Sequence, residues 1–326
     1  MIIDFHSHFV PEAVVRRNLP AGEGRTTTYV GGVPAQTMHL RLGDMPARLA
    51  AMDEAGIDAA VLGAPLPAAS LADCREINDD LYHQAQAHPG RLHPLAHVPP
   101  LGGPEALAEL ERCARELGFR GVLLWTDVGG EPLDSRALWP FYERVAALGL
   151  FIFIHPTLLP IGAEYMAEHD LARAVGREFG LVLALARLTV RGVMDAFPAL
   201  RICLSHCAGG ALPLVGRLRG YFDRDEMGTG NDPQQGTRLA RPLEEYLRTL
   251  YYDTGGFFGD LTAVYASLLV VPPSQMLFGT DYPQEIRSGA GKRAMVQAIQ
   301  AMDLPAADRE AILGGNAAAL FPGLAP

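Results

Sequence analysis

Eight short apolar runs recur along the chain, at residues 2–8, 59–65, 92–99, 121–125, 150–155, 201–206, 250–254 and 276–281. Most are separated by a segment with helical periodicity, as at 44–55, 71–87, 105–117 and 136–148. The runs are apolar on both faces, the pattern of strands buried inside a parallel sheet. Eight β-then-α units point to an α/β chain closed as a (β/α)₈ TIM barrel. At 326 residues the chain suits one such barrel, and 1–326 is expected to form a single domain. A doubly wound sheet is the alternative architecture. No G-x-G-x-x-G follows an early strand, which weakens the nucleotide-binding form of that alternative.

Three segments depart from regular spacing. Residues 10–43 exceed a normal βα connection and contain Ala21-Gly22-Glu23-Gly24 and Gly31-Gly32, so a loop or lid over the barrel mouth is expected there. Residues 158–200 have room for one or two helices between the fifth and sixth strands. Residues 305–321 read as a helix, a break at Gly314-Gly315 and a short capping helix.

Composition removes several function classes. Hydrophobic residues make up 49% and charged residues 20%, which excludes wholesale disorder. The net charge is −10 with no basic run, so neither nucleic acid nor an anionic membrane is an expected partner. Uncharged stretches at 145–163 and 261–280 are interrupted by His155, Pro156 and Pro160, and by Pro272, Pro273 and Gln275. They read as helix ends, turns and buried strands rather than membrane spans. Cys74, Cys113, Cys203 and Cys207 form no C-x-x-C pair and are expected to be buried, reduced thiols. The sequence begins without a basic stretch leading into an apolar one, so a cytoplasmic location is expected.

The chemistry starts at Asp4-Phe5-His6-Ser7-His8. Strand side chains alternate, so 4, 6 and 8 are expected on one face, inside the barrel. Two imidazoles and a carboxylate buried there without partners would cost several kcal/mol. A metal ion satisfies the histidine pair through neutral ring nitrogens, with Asp4 as an orienting or hydrogen-bonding group. His155, His206 and Asp281 close three further runs, and the C-terminal ends of barrel strands form the active-site face.

Those residues carry a family resemblance. H-x-H on strand 1, His after strands 5 and 6 and Asp after strand 8 resemble the amidohydrolase superfamily of metal-dependent barrels. The segments Ile3-Asp4-Phe5-His6-Ser7-His8-Phe9, Phe153-Ile154-His155-Pro156-Thr157, Leu204-Ser205-His206-Cys207-Ala208-Gly209-Gly210 and Leu277-Phe278-Gly279-Thr280-Asp281-Tyr282-Pro283 are similar to its amidohydrolase-related branch. That branch includes aminocarboxymuconate-semialdehyde decarboxylase and the hydroxybenzoate decarboxylases. The resemblance implies that His6, His8, His155 and Asp281 bind the metal, with His206 beside it as an acid/base. Binuclear relatives bridge two metals with a carboxylated lysine at the end of strand 4. Here that strand ends in Leu124-Trp125-Thr126-Asp127, and the single lysine, Lys292, is expected on the last barrel helix. One divalent ion per subunit is therefore expected, Zn²⁺ favoured and Mn²⁺ possible, with no organic cofactor.

A carboxylate substrate needs local positive charge in an acidic protein. Arg217 and Arg48 resemble substrate arginines of the semialdehyde decarboxylase, Arg217 by reaching a neighbouring subunit's pocket, which implies a homodimer. Trp125 is a candidate pocket wall, and His97 is a weaker one. His169 stands where that relative's pattern has a pocket tryptophan. The leading expectation is non-oxidative decarboxylation of a small aromatic or unsaturated carboxylic acid, with His206 or Asp281 delivering the proton. The alternative is hydrolysis of a lactone, ester or amide by metal-activated water. A non-catalytic metal-binding protein is the third reading.

Overall fold

The computed structural model describes residues 1–66, 69–222 and 239–321. Eight parallel strands lie in one sheet in the order of the sequence. They are β1 (Ile3–His8), β2 (Ala59–Gly63), β3 (Leu92–Ala96), β4 (Gly121–Trp125), β5 (Phe151–His155), β6 (Arg201–Leu204), β7 (Tyr251–Asp253) and β8 (Met276–Leu277). The helices that follow them are α1 (Met45–Ala55), α2 (Leu71–Ala87), α3 (Gly103–Arg115), α4 (Trp139–Leu148), α5 (Arg177–Val190), α6 (Val215–Phe222), α7 (Thr262–Leu268) and α8 (Gly289–Gln300). Local chemistry fixes their ends. Asp44 caps α1 by accepting from the Ala47 N–H, and Gly56 closes it in a left-handed conformation. Ser70 and Asp73 form a reciprocal capping box on α2. Among the described residues no helix is long and apolar enough to cross a membrane.

The sheet closes where the two ends of the chain meet. The Phe5 N–H donates to the Phe278 carbonyl at 2.7 Å, the His8 N–H to that of Tyr282 at 2.6 Å, and the Asp281 N–H to that of His6 at 2.9 Å. The (β/α)₈ barrel expected from the sequence is thus the fold. Its interior holds Ile3, Phe5, Val61, Leu95, Leu123, Phe151, Phe153 and Leu277. Phe321 plugs one end, its ring 5.5 Å from those of both Phe5 and Phe151.

Three sequence expectations need correction. First, β1 carries a bulge: Asp4 pairs with Ala60 but Ser7 with Leu62, so one extra residue fits between them. Phe5 belongs to the barrel interior, and His6 packs there too, with its ring 4.9 Å from that of Phe153. Asp4 is therefore on the opposite face from His6 and His8. Second, β6 stops at Leu204, and His206, Cys207, Ala208 and Gly209 run left-handed, with φ from 49° to 65°. Third, the tail does not break at Gly314-Gly315. A wide helical turn (Ala311–Gly315) joins Ala306–Glu310 to Asn316–Leu320. Glycine at 314 serves close packing, since a Cβ there would sit 2.5 Å from the Met1 carbonyl oxygen.

Residues 10–43 contain regular structure: a short helix (Glu12–Arg17) and an antiparallel hairpin of Arg25–Val30 and Val33–His39. The hairpin rests on the mouth side of the barrel, where Gln36 donates to the Pro65 carbonyl after β2.

Asp4 faces α8. Its carboxylate accepts from Lys292 Nζ at 2.6 Å, from Thr280 Oγ1 at 2.6 Å and from the Thr280 N–H at 2.9 Å, and both charged side chains are fully buried. Burial pushes the Lys292 ammonium below its usual range, and Asp4 opposes that shift. Removing one member of a buried pair strands the other charge. Lys292→Met is expected to lower unfolding free energy by about 3–5 kcal/mol in urea titration. Adding Asp4→Asn to Lys292→Met is expected to recover part of that loss.

Candidate metal centre

Four ends of barrel strands bring the predicted residues together. β1 supplies His6 and His8, β5 supplies His155, the turn after β6 supplies His206, and the segment after β8 supplies Asp281. All are buried. Two glycines make the approach possible. A Cβ at Gly279 would lie 2.6 Å from His6 Cβ, so the seam between β8 and β1 requires glycine there. A Cβ at Gly256 would lie 2.2 Å from His206 Cγ. Asp281 itself has φ 49°, a left-handed conformation that is strained for a side chain with Cβ.

One ligand atom from each of His6, His8, His155 and Asp281 lies within 4.8 Å of all the others. The ring orientations follow from the partners of Nδ1. His6 Nδ1 faces Asp253 Oδ2 at 2.9 Å, His8 Nδ1 faces the Gly63 carbonyl at 3.2 Å, and His155 Nδ1 faces the Pro156 carbonyl at 3.0 Å. Each Nδ1 therefore donates, and each neutral ring turns a bare Nε2 lone pair inward. The Nε2 atoms of His6 and His8 are only 3.2 Å apart. Two lone pairs at that distance repel unless a cation lies between them. Asp281 Oδ1 is 2.9 Å from His8 Nε2, yet it is buried without a properly directed hydrogen bond. Three imidazoles and one carboxylate with an orphaned oxygen fit one divalent ion.

The electrostatics of His8 and His155 favour neutral rings, while His6 answers to its two carboxylates. Burial drives the His8 and His155 imidazoles below their usual range; for His155 the neighbouring histidines push the same way. Burial acts against charge on His6 as well, but Asp253 and Asp281 outweigh it and raise the pKa. Burial would raise Asp281, but His6, His8 and His206 hold it at about 2. His206 Nδ1 is 2.9 Å from Glu178 Oε1, while its Nε2 is buried without a hydrogen bond, 3.9 Å from Asp281 Oδ2. Burial opposes charge on His206 too, yet Glu178 and then Asp281 raise it to about 10.

Sequence reasoning missed two carboxylates of this centre. Asp253 orients His6, and its Oδ1 also accepts the His206 N–H at 3.1 Å. It ends strand β7, one residue short of the end of the seventh apolar run, so the strand-end rule that found His155 and Asp281 extends to it. Glu178 sits in the first turn of α5 and meets His206 from 28 residues away. No periodicity marks that pairing.

Arg48 needs correction as a substrate residue. It is fully buried between α1 and β1, donates to Ser7 Oγ and the His8 carbonyl, and lies 4.8 Å from the Tyr282 ring centroid. It braces the strand that carries His6 and His8, and no guanidinium surface remains for a substrate. Arg217 is exposed on α6, 5.1 Å from the Tyr221 ring, and does not join the histidine cluster of its own chain. Trp125 ends β4, its ring edge-on to His155 at 5.3 Å. His97 is structural: its Nε2 accepts from the Ala64 N–H at 2.8 Å. His169 is exposed in a left-handed turn, φ 53°.

Comparison with known proteins fits this geometry. A family model described as amidohydrolase matches residues 3–323. The chain is 31% identical over 296 residues to gamma-resorcylate decarboxylase of Polaromonas sp. (strain JS666), covering 84% of this chain and 86% of that protein. It is 28% identical over 265 residues to 2-amino-3-carboxymuconate-6-semialdehyde decarboxylase of Dictyostelium discoideum, covering 80% and 69%. Among solved structures, a dihydroxybenzoic acid decarboxylase from Polaromonas sp. JS666, with bound manganese and the inhibitor 2-nitroresorcinol, superposes with a TM-score of 0.79 at 27% identity. That match covers 98% of this chain and 96% of the other. These relatives favour a carbon–carbon lyase over a hydrolase. Fold, strand-end histidines and sequence together place the chain in the amidohydrolase family.

Proposed function

We propose that this chain is a metal-dependent, non-oxidative decarboxylase of a small aromatic or unsaturated carboxylic acid. The observation that carries the reading is the division of labour at the centre. Four donors converge on one point, and His206 stands beside them with a free Nε2 and a carboxylate behind it. His6, His8, His155 and Asp281 would hold one divalent ion. Their donor set accepts Zn²⁺ or Mn²⁺, and the manganese of the similar decarboxylase favours the second. When bound, the ion supplies positive charge against the negative charge that develops as the carboxylate leaves.

The chain's own residues manage the proton. Decarboxylation breaks the carbon–carboxyl bond, releases CO₂ and leaves an electron pair on carbon that must take up H⁺. Asp281, held at about 2, carries no proton to give at neutral pH. His206 is the better donor, with Nε2 towards the site and Nδ1 on Glu178. Asp253 fixes the ring of His6, and Trp125 walls the side of His155. Arg217, exposed on α6, is proposed to reach a second subunit in a homodimer. An apolar stripe of Leu171, Val175, Phe179 and Leu183, each more than a third exposed, supports such a contact. A monomer by light scattering overturns the dimer.

CO₂ release from a panel of hydroxybenzoates, measured beside ring opening of pyrone acids, tests the reaction. Ring opening without CO₂ would make the chain a hydrolase. His6→Ala is expected to lose metal and turnover together, and full metal occupancy in that variant contradicts the ligand assignment. Asp253→Ala is expected to weaken metal binding about 10- to 100-fold. His206→Ala is expected to keep its metal while turnover falls about 10²- to 10⁴-fold. In the metal-free protein, the raised pKa means that the His206 imidazolium persists above pH 6.5 and is lost only as pH climbs towards about 10. Glu178→Gln is expected to bring that titration down, as read by nitrogen-15 NMR of the ring.

A further inference from the structure

Arg48 is enclosed and Arg217 does not join its own chain's cluster, so among the described residues an anionic substrate has as yet no arginine assigned to it. Arg177 answers that need. It opens α5, directly before Glu178, the residue that holds His206. One Nη2 donates to the Leu158 carbonyl, three residues beyond His155, at 3.4 Å, and to the Ala35 carbonyl of the mouth hairpin at 3.2 Å. The guanidinium thus lies where the β5 loop, α5 and the hairpin meet above the barrel. Its neighbour Arg173 is already spent on Asp170 at 2.6 Å. Arg177 has no ion pair among the described residues, and its Nε is buried without a hydrogen bond. Burial and Arg173 pull its pKa down to about 10, while Asp281 is among the groups acting to restore its charge. A half-buried guanidinium with carbonyl partners alone, one position from a residue of the metal centre, is a cation awaiting an anion.

We infer that Arg177 binds the carboxylate, or a second anionic oxygen, of the substrate at the barrel mouth and so selects acids over their neutral analogues. This rests on the decarboxylase reading for the identity of the acid, but not for the contact itself. Guanidinium is suited to the task because its paired N–H groups match a planar carboxylate.

The test is calorimetric binding of benzoate and of benzamide to the metal-loaded protein. Neither probe carries the ring hydroxyls of a resorcylate. Arg177→Met is expected to weaken benzoate about 10- to 100-fold, the range of a charge-assisted hydrogen bond, and benzamide by less than about 3-fold. Arg177→Lys, which keeps the charge, is expected to recover part of the benzoate affinity, and a wild-type melting temperature in that variant shows that the hairpin contact is not the cause. On an acid that the enzyme turns over, Arg177→Met is expected to raise KM more than it lowers kcat. Equal weakening of benzoate and benzamide overturns the inference, as does unchanged benzoate affinity. Absence of CO₂ release in the wild type, with benzoate binding still dependent on Arg177, sinks the decarboxylase reading and leaves the arginine contact standing.

Discussion

The seam between the first and last strands holds the rest of the structure in place. Three main-chain hydrogen bonds join residues about 275 positions apart, and they set Asp281 against His6 and His8. The fit tolerates no side chain at Gly279. Behind the seam, Lys292 and Asp4 tie α8 to β1, and Arg48 ties α1 to the carbonyl of His8. The charges buried outside the barrel wall therefore support the charges inside it. A parallel sheet closed this way depends on contacts of very high sequence separation, which is entropically expensive. The return is a site whose donors need little rearrangement to meet an ion.

Charge at the centre is balanced by position more than by number. Asp253 and Glu178 stand on the far side of the rings from Asp281, each bound to an Nδ1. They decide which nitrogen bears the proton, and so which lone pairs point inward. His6 and His206 are stacked at 5.3 Å yet have different tasks, because one Nε2 faces His8 while the other faces open site. The strained run from His206 to Gly209 sets that second direction.

The fold was legible because strands sealed on both faces leave unbroken apolar runs, and because helices between them keep their own period. His6, His8, His155 and Asp281 were legible because polar residues ending such runs are out of place unless they have work there. Asp253 obeyed the same rule. Asp4 was misplaced because alternation assumes an unbroken pleat, and the bulge at Phe5 and His6 adds a residue without any mark in composition. Arg48 and Glu178 could not be judged from their helices alone. Whether a helical arginine faces solvent or a strand, and whether a helical glutamate finds a histidine, depends on how the helix docks. Lys292 was placed on the right helix, but its partner 288 residues away was invisible.

That lysine has an experimental consequence. It is the chain's single lysine and is wholly enclosed. Acylating reagents that seek ε-amino groups find none on the folded surface. Labelling at Lys292 therefore counts molecules whose barrel has opened, so a mass spectrum after a timed pulse of such a reagent reads out how often the native protein breathes, without any probe having to be engineered into it.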